Sequence, residues 1–213
     1  MTVQLDHCFV LCDPQAPQAD LLSDLGLIEG PGNDHPGQGT ANRRFFFSNT
    51  MFEFLYVRDA DEAAHGRAKG LRLPERAMSA AASPFGLIVR SSGGLADTPF
   101  PGWPYCPEYF PADQCFHVGE NSDLLEEPLC ICMPHNLPEP ASRPRRANAD
   151  MTLTGLRLGV PVSRLSPPLE AIAACDGVSL QLNEPHHLEL VFNEEQAGRF
   201  ESLLPALPLT VRW

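Results

Sequence analysis

A glutamate set between apolar residues in a short strand occurs twice in this 213-residue chain, each time closing a similar stretch. The first stretch opens with Leu5-Asp6-His7-Cys8-Phe9-Val10-Leu11 and closes with Met51-Phe52-Glu53-Phe54-Leu55-Tyr56-Val57. The second opens with Leu153-Thr154-Gly155-Leu156-Arg157-Leu158-Gly159-Val160 and closes with His187-Leu188-Glu189-Leu190-Val191-Phe192. A carboxylate is costly to bury unless it is paired or coordinates something. Two of them in matching places point to a site built by repetition.

The formal charge of -12, from 27 acidic and 15 basic residues, repels phosphate backbones and argues against nucleic acid as a partner. No apolar run approaches the ~20 residues that cross a bilayer. The segment Met1–His7 lacks the basic and apolar regions of a signal peptide. The expectation is a protein of the cytoplasm. Seven cysteines, at positions 8, 12, 106, 115, 130, 132 and 175, include no Cys-x-x-Cys pair. They read as reduced, buried small hydrophobes rather than as a zinc site, with Cys130 and Cys132 on one strand face.

Val3 to Leu11 reads as a strand, followed by a helix that carries Leu21, Leu22, Leu25 and Ile28 and stops near Gly26. Strands are expected at Thr40–Phe47 and Met51–Val57, with room for another in the glycine-rich stretch before them. Residues 59–82 read as a helical connector, Pro84–Arg90 as a strand, and 91–114 as a loop rich in aromatic residues. Cys115–Val118 and Leu129–Met133 follow as strands, and residues 134–150 as a linker with solvated Arg143, Arg145 and Arg146. The last part repeats the opening: strand Leu153–Val160, a helix capped by Ser166-Pro167-Pro168, strands Val178–Leu182 and His187–Phe192, a helix Glu194–Leu204 and a strand Leu209–Trp213. The expected organisation is a first module over 1–58, a connector with extra strands over 59–150, and a second module over 151–213, in one compact domain.

Leu5-Asp6-His7, Leu25-Gly26-Leu27, the segment His35 to Asn42 and Phe52-Glu53-Phe54-Leu55, in that order, resemble the vicinal oxygen chelate superfamily. Within it the chain is similar to the glyoxalase-like domain proteins, which share the fold of glyoxalases, bleomycin-resistance proteins and extradiol dioxygenases. The resemblance implies an α+β fold, with repeated β-α-β-β-β modules making a cupped mixed sheet around a central pocket and helices outside. It further implies a divalent metal (Fe, Mn, Zn, Ni or Mg) held by His7, Glu53 and Glu189, where Glu53 and Glu189 are also the catalytic candidates. Gly155 stands where a second histidine would be matched, which leaves three ligands and open positions for substrate.

Each of these residues has a plainer reading. His7 could be a hydrogen-bonded core histidine, Glu53 could pair with Arg43 or Arg44, and Glu189 with Arg157. The segment His35 to Asn42 reads as a tight β-connection needing positive φ at Gly37 and Gly39, and the resemblance implies that it is a pocket rim. His35, Asn42 and Arg43 are its candidates for substrate contact; because strand neighbours face opposite ways, only one of Arg43 and Arg44 enters the cup. The aromatic loop at 100–110 is a lid or an ordinary packed loop. The leading expectation is a metal-dependent lyase, isomerase or dioxygenase acting on a small oxygen-rich metabolite. The rival is a metal-free protein of the same fold that binds and sequesters a small molecule, and a third is a regulatory domain with a decayed site. A homodimer, with modules paired across two chains, is open alongside pairing within one chain.

Overall fold

The computed structural model describes residues 2–92, 98–134 and 147–213. Arg143, Arg145, Arg146 and most of the expected linker therefore lie outside the described residues. The fold is α+β: two mixed sheets with few, short helices. Among the described residues no helix is long and apolar enough to cross a membrane.

The larger sheet has eight strands: β1 (Val3–Cys12), β2 (Glu29–His35), β3 (Thr40–Phe46), β4 (Met51–Val57), β5 (Phe85–Ser91), β6 (Gly102–Tyr105), β7 (Phe116–Gly119) and β8 (Leu129–Cys132). Their order is β2-β3-β4-β1-β5-β8-β7-β6. β1 runs parallel to β4, and β3 and β2 follow antiparallel. β5 runs parallel to β8, and β7 and β6 follow antiparallel. The two halves share one connectivity and join through the antiparallel pair β1–β5. The strand expected in the glycine-rich stretch is β2.

The partner of the first module is thus residues 85–132, within the same chain, and not 151–213. The C-terminal strands β9 (Leu153–Val160), β10 (Val178–Leu182), β11 (His187–Phe192), β12 (Phe200–Ser202) and β13 (Leu209–Arg212) form a second sheet, ordered β10-β9-β11-β13-β12. β9 lies between β10 and β11, whereas β1 has β4 and β5 beside it, so the shared apolar pattern hid two different topologies. The expected helix Glu194–Leu204 is absent. Asn193, Glu194 and Glu195 adopt positive φ, which breaks a helix, and β12 follows.

Alternation along the strands of the large sheet separates two faces. Cys8, Val10, Phe52, Phe54, Phe85, Leu87, Val89, Cys130 and Cys132 face the second sheet, where Leu156, Leu158, Leu188, Leu190 and Phe192 complete one core. Phe47 and Phe192 meet at 4.5 Å between ring centroids. Helix α4 (Pro167–Ala173) is tied to this core by Glu127, which accepts hydrogen bonds from the backbone N–H (2.8 Å) and the hydroxyl of its N-cap Ser166. On the other face Phe9, Leu11, Leu55, Ile88, Leu129 and Ile131 make a second apolar cluster. Leu71, at the end of a 3-10 turn (Arg67–Leu71), and Leu73, at the start of α3 (Leu73–Met78), cover part of it. This second face is the cup. The remaining helices, α1 (Asp20–Asp24) and α2 (Ala60–His65), are short, and Gly26, where the first helical segment was expected to stop, has φ +90°.

One expectation about cysteine is overturned. Cys106 and Cys115 form a disulfide that closes the segment between β6 and β7. The other five are free, and Cys8, Cys130, Cys132 and Cys175 are buried.

Candidate functional site

The cup encloses a cavity of about 200 Å³ between the strands and the disulfide-closed loop. Its walls are mainly apolar: Phe9, Leu55, Ile88, Leu129 and Ile131 from the strands, with Tyr105, Tyr109, Phe110 and Phe116 opposite. His7, His35, Arg44 and Glu53 also line it. A few polar groups converging in an apolar concavity is the usual form of a small-molecule site.

Parity decides who enters. On β1, His7 and Phe9 share the cup face; on β4, Met51, Glu53 and Leu55 do. The neighbouring half of the sheet offers Ile88, Leu129 and Ile131 on the same face. The His, Arg and Glu side chains that the described strands bring to the cavity therefore come from the first module, and the second supplies apolar wall and the Tyr105 phenol.

Glu53 is only 8% exposed and has no hydrogen-bond or ion-pair partner among the described residues. His7 is also buried, and its Nδ1 lies 2.5 Å from Asp6 Oδ1. Asp6 is bound in turn by Arg90. Burial pushes the Asp6 carboxyl up, but His7 and Arg90 outweigh this and hold it at about 2. An ionised carboxylate only accepts, so Asp6 takes the Nδ1–H of His7 and leaves the Nε2 lone pair for the cup.

His35 is buried, and its Nδ1 lies 2.9 Å from the hydroxyl of Thr40. Burial depresses its pKa, partly offset by the negative charge of Glu53. Gln38 Nε2 donates to the same Thr40 hydroxyl at 2.8 Å, and the Tyr105 and Tyr109 hydroxyls donate to Gln38 Oε1 at 3.1 and 2.9 Å. Tyr109 also leans on His35, with centroids 5.3 Å apart. Gly37 and Gly39, at φ +77° and +71°, make the turn that brings His35 and Thr40 together. A Cβ at Gly39 would sit 2.3 Å from the Asp59 carbonyl oxygen.

Of Arg43 and Arg44 the structure admits Arg44 to the cup. Its Nε donates to the Pro31 carbonyl at 2.9 Å, and burial depresses its pKa against the opposing pull of Glu53. Arg43 points away: it holds Glu29 through Nε and Nη2 at 2.8 and 2.6 Å and Asp20 at 2.8 Å. These partners occupy its fork, so Arg43 is not placed for the expected substrate contact, and Arg44 is the arginine that lines the cavity. Asn42 is not among the cavity-lining residues. Its Oδ1 accepts from the Asn33 N–H at 2.8 Å and fixes β2 on β3.

Glu189 is not brought to the site. On β11 its neighbours Leu188 and Leu190 enter the shared core, so Glu189 faces outward from the second sheet, on the far side of that core from the cup. Arg157 and Arg212 each hold one of its oxygens at 2.5 Å. The expected metal set of His7, Glu53 and Glu189 is therefore not assembled. Among the described residues no group of three or more His, Cys, Asp or Glu side chains is placed to hold a metal ion.

Sequence reasoning gave no role to Gln38, Thr40, Tyr105 or Asp6. Gln38 and Thr40 sat inside the recognised segment, and Asp6 beside His7, but hydroxyl and amide relays carry no spacing signature.

No family model matches the sequence, and no curated protein matches it. The fold is similar to the crystal structure of a hypothetical protein from Staphylococcus aureus, with a TM-score of 0.60 over 100% of this chain and 98% of that one. At 12% sequence identity this likeness concerns the fold alone.

Proposed function

We propose that the cup is a small-molecule site of the vicinal oxygen chelate kind, which seats a largely apolar molecule with a polar head and needs no metal to do so. The observation that carries this reading is Glu53, a buried carboxylate with no hydrogen-bond or ion-pair partner among the described residues, in a mainly apolar cavity. Such a group is costly unless a ligand supplies what the protein withholds. A cavity near 200 Å³ suits one small ring with a short substituent.

A metal-dependent enzyme is the second reading, favoured by one observation: Asp6 orients His7 as outer carboxylates orient metal-binding imidazoles. The residues present do not fit the three-ligand set, because Glu189 is held by two arginines elsewhere. His7 and Glu53 remain as a pair.

Thermal unfolding in chelator, with and without benzyl alcohol, tests the first reading. Benzyl alcohol is expected to raise Tm for the wild type and not for Ile131→Trp, which fills the cavity and replaces no polar side chain. No shift for the wild type would overturn it. Elemental analysis after incubation with Fe, Mn, Zn, Ni or Mg and desalting separates the readings. Near one metal per chain, lost in His7→Ala, would move the assignment to the enzyme.

A further inference from the structure

The polar side chains of the cup form two relays that end in opposite hydrogen-bonding roles. The first begins at Tyr105, which is 2% exposed and whose hydroxyl, among the described residues, meets only Gln38 Oε1. A buried phenol must place its proton on an acceptor, so Gln38 Oε1 is a carbonyl oxygen receiving two hydroxyls, those of Tyr105 and Tyr109. The amide orientation is thereby fixed, and Gln38 Nε2 donates to Thr40. Thr40 is fully buried, and among the described residues its hydroxyl touches only Gln38 and His35. Having accepted from Gln38, it gives its own proton to His35 Nδ1. His35 then carries its proton on Nε2, which has no hydrogen-bond partner among the described residues and belongs to a ring lining the cavity.

The second relay runs from Arg90 through Asp6 to His7 and does the reverse. His7 keeps its proton on Nδ1 and presents the Nε2 lone pair. Beside it, Glu53 is a second acceptor. Charge in the cavity is nearly balanced, since Arg44 lies opposite Glu53 in the β3–β4 register.

We propose, resting on the small-molecule reading above, that Thr40 and Gln38 are positioning residues that set His35 as a donor facing the acceptors His7 and Glu53, so that the cup selects a neutral head group with donor and acceptor side by side. An amide-type group on a small apolar ring has this character: its carbonyl oxygen accepts from His35 Nε2–H, and its N–H groups serve Glu53 and His7 Nε2. A carboxylate head would meet Glu53 with like charge and bring no donor. An ammonium head would leave the His35 N–H unsatisfied, and a hydrocarbon would leave Glu53 and the Nε2 atoms of His35 and His7 unpaired.

The test has two arms. Calorimetric titration compares benzamide, benzoate, benzylamine and toluene, four heads on one ring, with benzamide expected to bind about tenfold more tightly than the others, the worth of roughly one satisfied hydrogen bond. Equal or tighter binding of benzoate or benzylamine would overturn the inference. Equal binding of toluene would do so too, while leaving an apolar small-molecule site standing. Failure of all four would sink both. In the second arm, long-range proton–nitrogen NMR reads the tautomers directly. The expected spectrum has His35 protonated at Nε2, shifted toward a mixture by Thr40→Val and restored by Thr40→Ser. His35 protonated at Nδ1 in the wild type would overturn the inference whatever the ligands do.

Discussion

Replacing Glu53 with leucine would remove the buried carboxylate and leave its surroundings apolar. If that carboxylate is kept for a ligand, Glu53→Leu should stabilise the fold by about 1–2 kcal/mol, the order of the desolvation cost of an unpaired polar group, while abolishing benzyl alcohol binding. Urea unfolding beside calorimetry reads both effects, and a loss of stability would mean that Glu53 has a structural partner. Glu189 should behave in the opposite way. Burial raises its pKa, but the hydrogen bonds and charges of Arg212 and Arg157 outweigh this and hold the carboxyl below its ordinary value of 4.5. A depressed folded pKa gives stability that is full above 4.5 and is lost as pH falls through the folded value. Glu189→Gln should therefore cost about 1 kcal/mol at neutral pH, shrinking in acid, and leave ligand binding unchanged. An equal gap between the two proteins at pH 7 and pH 3 would contradict the ion-pair account. The two glutamates share a local pattern of apolar neighbours, and only the strands beside them separate their roles.

The element that completes the cup is the loop from Cys106 to Cys115. It carries Tyr109 and Phe110 into the cavity wall and is closed by the disulfide. Reduction restores two thiols and releases a segment that no strand pairing holds. Dithiothreitol is expected to speed chymotrypsin cleavage at Tyr109 and Phe110 and to weaken benzyl alcohol binding; unchanged cleavage would show that aromatic packing alone holds the loop. This loop also marks where sequence reading ended. β1, β3, β4, β5 and β8 were legible because their apolar residues run long enough to define a period. β6 (Gly102–Tyr105) has two turn formers among its four residues, Gly102 and Pro104, and its pairing with β7 is set by a partner distant in sequence. The cysteine pairing was illegible for the same reason: spacing alone does not say which thiols the fold brings together.

At the scale of the molecule, the eight-stranded sheet has one face buried against the second sheet and one that lines the cavity. The C-terminal sheet covers the first face, with Phe192 against Phe47, and adds nothing to the cup. The sequence reading paired 1–58 with 151–213 as its repeat, and the structure instead sets 85–132 beside the first module in one sheet. The apolar pattern of 151–193 is the cleaner match, while the half that shares the sheet is interrupted by the aromatic loop. His7, Glu53 and His35 line the cavity because they lie on well-defined strands or their turn, whereas Arg43 differs in facing direction and Glu189 in sheet membership. The central claim, that this cup takes a small molecule without a metal, is tested most directly by methyl NMR of the Ile and Leu side chains during titration with benzamide in chelator. The account predicts shifts at Leu55, Ile88, Leu129 and Ile131, with Leu156, Leu158, Leu188 and Leu190 unmoved. Shifts confined to the second group, or none until metal is added, would contradict it.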